Sequence, residues 1–419
     1  MKIYKFGGGV INSADGIKNL HKIVEKESEN LVIVVSAIGK TTNALERIAE
    51  SFFNKNSSLT DNLQLVREYH MPIMTELFGC ESDKNLAAYT ALNSVLQELA
   101  DITAQKPSLC YDFEYDRIVA FGELISSTIV SEYLNFVGLK NEWIDVRNAI
   151  ITDNNYRDAN VNMETSEEFC VQAFSGKSLT VTQGFIAGTR TNQTTTLGRE
   201  GSDYSGAILA NLLDAESLTI WKDVPGVMNA DPRIYDDVQV IPKLSYKEAI
   251  ELSYCGASVI HPKTIKPLKQ KEIPLYVKPF FALTEPGSVI NEIEEKIIYP
   301  PIYINKRNQV LFTLTPRDFS FIAEERLSKI FGLLANHKLK LSLVQMSAVS
   351  FTLCVDYDSV NFAQLLAEFQ DEYEVYYNTD VELVTIRHYT QEIIDKLIGN
   401  RQVYTEQRNR RTLRFVVSR

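Results

Sequence analysis

The sequence predicts an α/β protein with a mainly parallel sheet, followed by a smaller α+β region. Two observations carry this reading. Short apolar runs rich in β-branched residues recur along the chain: LVIVVSA at 31–37, SLTVTQGFIAG at 178–188, ESLTIWKDV at 216–224 and IPLYVKP at 273–279. Continuous hydrophobic strands separated by amphipathic helical stretches indicate a sheet covered on both faces. After Phe281 the texture changes, and EPGSVINEIEEKIIYPPIYINKRN mixes turn formers with charges before a new strand near Val310.

Taken in order, the first element is a strand ending at Lys5, followed by Gly7, Gly8 and Gly9 and then by Asn12 or Ser13 as helix caps. Glycines here let backbone N–H groups approach a ligand closely, and the helix start adds a positive dipole end for an anion. This is neither the Gly-Lys-Ser/Thr phosphate loop nor the dinucleotide G-x-G-x-x-G spacing. Leu45 to Asp112 carries mostly helical periodicity and reads as an excursion beside the sheet. The last ~110 residues read as strand, helix, two strands, helix, strand: VLFTLTP, a helix from Phe321 to His337, LSLVQMS, SFTLCVD, a helix from Val360 to Glu372, and EVYYNT. A second unit starts with VELVTIRH, continues through a helix from Gln391 to Gly399, and stops after RQVYTEQ and TLRFVVSR without a last helix and strand. Such a module needs its edges covered, by the first unit or by a second copy, and a homodimer is expected.

Bulk properties narrow the function. The 419 residues suggest two or three domains, on a prior of roughly 100 to 200 residues each. With 45% hydrophobic and 23% charged residues, the composition is that of a globular protein. A net charge of -11 argues against non-specific nucleic-acid binding, so the arginines between Arg401 and Arg419 read as the exposed face of edge strands. The five cysteines are scattered and suggest neither disulfides nor a zinc site. No apolar run is long enough for a membrane span and Met1 leads straight into a strand, so a cytoplasmic location without membrane association is expected.

Five groups look like parts of one site. Lys5 with Gly7, Gly8 and Gly9 is the first. In VVSAIGKTTNAL, Ser36 ends a strand and opens a loop through Thr41 and Thr42, at the C-terminal end where open α/β sheets place ligands. VAFGELISS puts Glu123 at the start of a helix, as a dipole partner or as a carboxylate for a substrate ammonium. In TTTLGREGSDYSGAILA, Arg199 can grip a carboxylate bidentately, and Gly201, Ser202 and Asp203 begin the next helix. WKDVPGVMNADPR carries Lys222, Asp223 and Arg233 through two turns, a plausible nucleotide cradle.

Together, KFGG, FGELISS, TTTLGREGSDYSGAILA, WKDVPGVMNADPR and GASVIHPKTIKPL resemble the aspartate kinases of the amino acid kinase superfamily, in order over residues 1 to about 290. The resemblance implies a three-layer α/β/α amino acid kinase domain at 1–290, a first ferredoxin-like ACT module at 305–380, and a second, truncated one at 381–419. It implies ATP-dependent phosphorylation of the β-carboxylate of L-aspartate to 4-phospho-L-aspartate, with Mg2+ on the nucleotide, opening lysine, threonine and methionine synthesis. Lys5 and Asp203 would be catalytic. Ser36, Thr42, Glu123, Arg199, Gly201 and Ser202 would bind aspartate. Lys5, Gly7, Gly8, Gly9, Lys222, Asp223, Arg233, Ser258 and Val259 would line the nucleotide, with no resident metal in the protein. His261 would fix the IHPKT turn.

This chain departs from the family pattern at three points. Gly9 and Val10 replace two hydroxyl residues, Ser258 stands where a lysine is usual, and Lys222 replaces a threonine, which suggests that Lys222 restores the lost charge. Ala348 stands where inhibitor-responsive relatives often carry an acidic residue, so weak lysine inhibition is expected. Two other readings stay open: a relative with another acidic acceptor, and a degenerate kinase kept as an amino-acid sensor.

Overall fold

The computed structural model describes residues 1–27, 30–257, 260–295, 297–318 and 320–419, so the expectations for Ser258 and Val259 lie outside the described residues. The chain forms two units. The first holds Met1–Val227, Val240–Ser253 and Ser258–Glu294; the second holds Met228–Gln239, Tyr254–Ala257 and Glu295–Arg419.

In the first unit an eight-stranded sheet runs in the order Glu142–Ile144, Leu179–Gln183, Leu31–Val35, Lys2–Phe6, Ser217–Lys222, Leu275–Pro279, Ser288–Asn291, Lys243–Ser245. All neighbours are parallel except Leu275–Pro279 with Ser288–Asn291. The central strand Lys2–Phe6 is fully paired on both sides, Lys5 lying opposite Val34 and Ile220. From it the chain builds first toward Leu31–Val35 and later toward Ser217–Lys222. This is a topological switch point, and a crevice opens outside the C-terminal end of that strand.

Two helices cover opposite faces. Gly201–Leu212 packs on the face of Ile3 and Lys5, and Gly206 lets it come close: a Cβ there would stand 3.1 Å from Leu218 Cδ1 and 3.7 Å from Lys5 Cβ. Phe121–Phe136 lies on the other face, where Gln183 Nε2 donates to Ser127 Oγ at 2.8 Å. The expected excursion is a run of helices, Thr41–Phe53, Leu59–Phe78, Leu86–Thr103 and Tyr111–Val119. A small sheet of Ile151–Thr152, Ile186–Thr189 and Thr194–Thr196 stands beside them.

The second unit is a six-stranded antiparallel sheet, ordered Leu341–Met346, Phe351–Asp356, Ile302–Pro316, Tyr373–Arg387, Thr412–Ser418, Val403–Arg408. The strand expected near Val310 already begins at Ile302. Its first part, Ile302–Lys306, pairs with Leu383–Arg387, and its last part with Tyr373–Asn378. Register shifts between Lys306 and Leu311, with Asn308 and Asp380 in left-handed conformations, bend both long strands where the two halves meet.

The last three strands of the chain are therefore joined by a fourth. Ile302–Lys306, which precedes the first module in sequence, takes the missing position beside Val381–Arg387. The face that a second helix would cover is filled by part of Met228–Gln239: Ala230, Tyr235 and Val238 pack with Tyr303, Val384, Ile386, Leu413 and Phe415. The free edges also meet. Gln407 Nε2 donates to Val344 O at 3.2 Å, and Thr405 Oγ1 donates to Gln345 Oε1, so strands from opposite ends of the sheet cover one another. Of the six arginines between Arg401 and Arg419, Arg408 and Arg414 sit on the two last strands. Among the described residues no helix is long and apolar enough to cross a membrane.

Candidate active site

The site sits at the switch point of the first unit. Period-2 alternation puts Lys5, Ile220 and Lys222 on one face, below the first turn of Gly201–Leu212. Lys5 Nζ lies 2.5 Å from Asp203 Oδ1, and Lys222 Nζ lies 3.1 Å from Asp203 Oδ2. Asp203 is 1% exposed. Burial alone would raise its carboxyl, but the Lys5 and Lys222 ammoniums overcome this and hold it at about 2. Burial likewise works against the Lys222 ammonium, yet Asp203, with Glu200 and Asp223, raises it.

A cavity of about 480 Å3 opens over this pair. One wall is the glycine turn, Gly8 and Gly9, with Gly39 N–H donating to Gly8 O at 3.0 Å. The helix after the turn is capped by Ser13, whose Oγ accepts from Gly16 N–H. Ser36, Ala37 and Thr42 line the next wall, and Phe185 and the segment Gly198 to Asp203, Arg199 apart, line the opposite one.

Glu123 faces the same cavity from the start of Phe121–Phe136. Its Oε1 accepts from Ala37 N–H at 3.1 Å, while Oε2 is buried without a hydrogen-bond partner among the described residues. Burial pushes the Glu123 carboxyl up to about 8, against the Ala37 amide and the charge of Lys5. A buried carboxyl with a free oxygen suits a ligand that brings its own positive charge.

Arg199 stands between two left-handed residues, Gly198 (φ +73) and Glu200 (φ +55), and is exposed. Glycine suits position 198 because its φ of +73 strains any side chain and a Cβ there would stand 3.1 Å from the Arg157 carbonyl oxygen, besides pushing on the Asp158 carboxylate. Upstream, Thr196 is fixed by Asp116: Oδ2 accepts from Thr196 N–H at 2.8 Å and Oδ1 from Thr196 Oγ1 at 2.7 Å.

The amino acid kinase family model matches residues 1–279. Lysine-sensitive aspartokinase 3 of Escherichia coli is 30% identical over 363 residues, which cover 84% of this chain and 78% of that protein. The chain belongs to the aspartate kinases of the amino acid kinase family. The chloroplastic aspartokinase 1 of Arabidopsis thaliana is also 30% identical, over 84% of this chain and 63% of that protein. A crystal structure of E. coli aspartokinase III in complex with aspartate and ADP gives a TM-score of 0.82 at 25% identity, covering 100% of this chain and 96% of that one.

In this member of the aspartate kinases, the cavity gathers Lys5, Gly8, Gly9, Ser36, Thr42, Glu123, Gly201, Ser202 and Asp203. Gly7 lies just beneath, where a Cβ would stand 3.8 Å from Lys5 Nζ. The expected nucleotide cradle WKDVPGVMNADPR is divided between the two units. Lys222 turns to Asp203 and Asp223 is exposed, whereas Arg233 belongs to the second unit, where its guanidinium bonds Asp231 at 2.7 and 3.0 Å. His261 Nδ1 accepts from Lys263 N–H and caps the helix Pro262–Gln270.

Sequence reasoning passed over Gly39, Phe185, Glu200 and the Ala37 amide. Phe185 follows the strand Leu179–Gln183, and position beyond the C-terminal end of a parallel strand was the signal that could have found it. The Ala37 amide has no sequence signal, since every non-proline residue carries one. Among the described residues, no group of three or more His, Cys, Asp or Glu side chains is placed to hold a metal ion.

Proposed function

We propose that this chain transfers the γ-phosphoryl group of ATP to the β-carboxylate of L-aspartate, giving 4-phospho-L-aspartate and ADP, the reaction that opens lysine, threonine and methionine synthesis. The observation that carries this reading is the pairing of two ammoniums, the buried Lys5 and the half-buried Lys222, on the single buried carboxylate Asp203, across one cavity from the Glu123 oxygen that has no partner among the described residues.

An aspartate β-carboxylate oxygen attacks the γ-phosphorus, and the bond from that phosphorus to the β–γ bridging oxygen breaks, leaving ADP. The nucleophile is already an anion, so no general base is required. What the site must overcome is repulsion between two anions, by positioning and by charge. Lys5 lies where it can neutralise the transferring group, Asp203 fixes its direction, and Lys222 adds a second positive charge. The amides of Gly7 to Gly9 suit the nucleotide phosphates. Glu123 suits the aspartate ammonium, Arg199 its α-carboxylate, and Ser36, Thr42, Gly201 and Ser202 the remaining oxygens.

Mg2+ is assigned to the nucleotide as part of the substrate. With both Asp203 oxygens engaged by lysines and no carboxylate cluster placed for a metal among the described residues, the site suits an ion that arrives on phosphate oxygens. The chain is further proposed to work in the cytoplasm as a homodimer joined through its second unit. Ala348 is exposed, and weak lysine inhibition remains the expectation.

A hydroxamate assay with ATP, Mg2+ and a panel of acidic amino acids tests the reading. Product with aspartate and not with glutamate or acetylglutamate supports it. Turnover of another acceptor alone, or none with any, overturns it.

A further inference from the structure

We propose that Asp116, which lies outside the cavity, is a positioning residue that sets the pose of the Arg199 turn and so the affinity for the amino-acid substrate. The inference rests on the aspartate-side reading of that turn given above.

Asp116 lies in the helix Tyr111–Val119 and is 0% exposed. A carboxylate so buried is costly unless its oxygens are engaged. Here they take three bonds, two from Thr196 and one from Arg157 N–H at 2.9 Å. Burial still pushes the carboxyl up to about 6, with the Arg157 and Thr196 bonds acting against it.

Those bonds join two segments on either side of the turn. Thr196 ends the strand Thr194–Thr196 and leads through Leu197 into Gly198 and Arg199. Arg157 takes a left-handed conformation (φ +70) that directs its N–H at Asp116, and its guanidinium stacks 4.3 Å above the Tyr115 ring and lies 3.1 Å from Asp112. Between them, Ala159 N–H donates to Thr196 O at 3.0 Å. Asp158, held by Lys263, occupies the space against Gly198. Asp116 thus anchors both layers on which the Arg199 turn stands.

The same helix reaches the other substrate groups. Tyr115 OH donates to Glu46 Oε1 at 2.7 Å, in the helix Thr41–Phe53 that begins beside Thr42. At its end, Ala120 leads directly into the helix carrying Glu123. One short helix therefore registers Thr42, Glu123 and the Arg199 turn against each other, and within it Asp116 makes the bonds to the turn.

The test is steady-state kinetics of the full chain with Asp116→Asn, Thr196→Val and Thr196→Ser, alongside Arg199→Ala. Asp116→Asn should raise the aspartate KM about tenfold, the scale of a lost charge-assisted hydrogen bond, with the ATP KM within about twofold. Thr196→Val should raise the aspartate KM in the same selective way, and Thr196→Ser, which keeps the hydroxyl, should restore it. A role confined to folding would move both KM values or lower only the active fraction. If Arg199→Ala raises the aspartate KM while Asp116→Asn and Thr196→Val leave it unchanged, or raise both KM values together, this inference is overturned. If Arg199→Ala leaves the aspartate KM unchanged, the reading of the turn as the substrate subsite fails instead.

Discussion

Lys5, on the central strand, and Asp203, in the first turn of the helix Gly201–Leu212 much later in the chain, meet at 2.5 Å with Asp203 almost fully buried. Lys222 completes the contact at 3.1 Å, so the carboxylate is shared. In Lys222→Ala, Asp203 still holds Lys5, but one positive charge is lost beside the glycine turn proposed above for the nucleotide phosphates. The ATP KM should rise about tenfold with the aspartate KM little changed, since a charged hydrogen-bonding partner contributes roughly 1.5–3 kcal/mol. An unchanged ATP KM in an initial-rate assay would refute the role given to Lys222.

Removing the shared carboxylate is more severe. Asp203→Asn leaves the buried Lys5 and half-buried Lys222 ammoniums against a neutral amide, and activity should fall by several orders of magnitude. The sign of the pH effect follows from the depressed carboxyl. Because it falls from 3.8 to about 2 on folding, its contribution to stability is present above pH 3.8 and lost as pH drops toward 2. Acid unfolding followed by circular dichroism should therefore begin at higher pH in Asp203→Asn than in the parent at equal ionic strength, and coincident curves would count against the pairing.

Glu123 behaves in the opposite way. Its carboxyl rises from 4.5 to about 8 on folding, so at pH 7 the empty site holds it protonated while the unfolded chain does not. Stability should fall as pH rises between 4.5 and 8, and Glu123→Gln should flatten that slope. An arriving ammonium favours the carboxylate, so aspartate binding at pH 7 should release close to one proton. Calorimetry in buffers of different ionisation enthalpy reads this directly. No proton release in the parent chain would contradict the assignment of Glu123 to the ammonium.

Two adjacent glycines should respond differently to alanine. A Cβ on Gly8 would collide with the Ala37 carbonyl oxygen, whereas a Cβ on Gly9 meets nothing within 4 Å among the described residues. Gly8→Ala should raise the ATP KM at least tenfold through displacement of the turn, and Gly9→Ala should stay within about threefold. Equal effects in parallel assays would show that close approach of the Gly8 backbone is not what the turn requires.

In the second unit, Tyr303 lies on the segment Ile302–Lys306, paired with Leu383–Arg387. It is 3% exposed and packs edge-on against Tyr235, with ring centroids 4.7 Å apart. Tyr303→Ala should destabilise that unit by about 3 kcal/mol, the lower end for large aromatic truncations. Denaturant unfolding read by tyrosine fluorescence measures this, and a change below about 1 kcal/mol would show that Ile302–Lys306 does not hold the module together.

What the sequence determined by itself is the part written in local pattern. Runs such as LVIVV and SLTIWK, short and rich in β-branched residues, read as buried strands, the glycines after Lys5 mark a close turn, and the threonine-rich approach to Arg199 marks a loop denser than capping needs. Tertiary structure alone decided which distant residues meet. Lys222 reads equally well toward a nucleotide or toward Asp203, and the alternation of the pleat together with the placement of Gly201–Leu212 over that face settled the direction. Asp116 looks like any acid on a short helix, and only burial against Thr196 and Arg157 distinguishes it. The missing strand of the last module lies before the first module in the chain, where IYIN gives no hint of a partner in 383–387. Spacing along a chain records period and turn chemistry, whereas non-local pairing is set by which apolar faces can be buried together, a property of the whole fold.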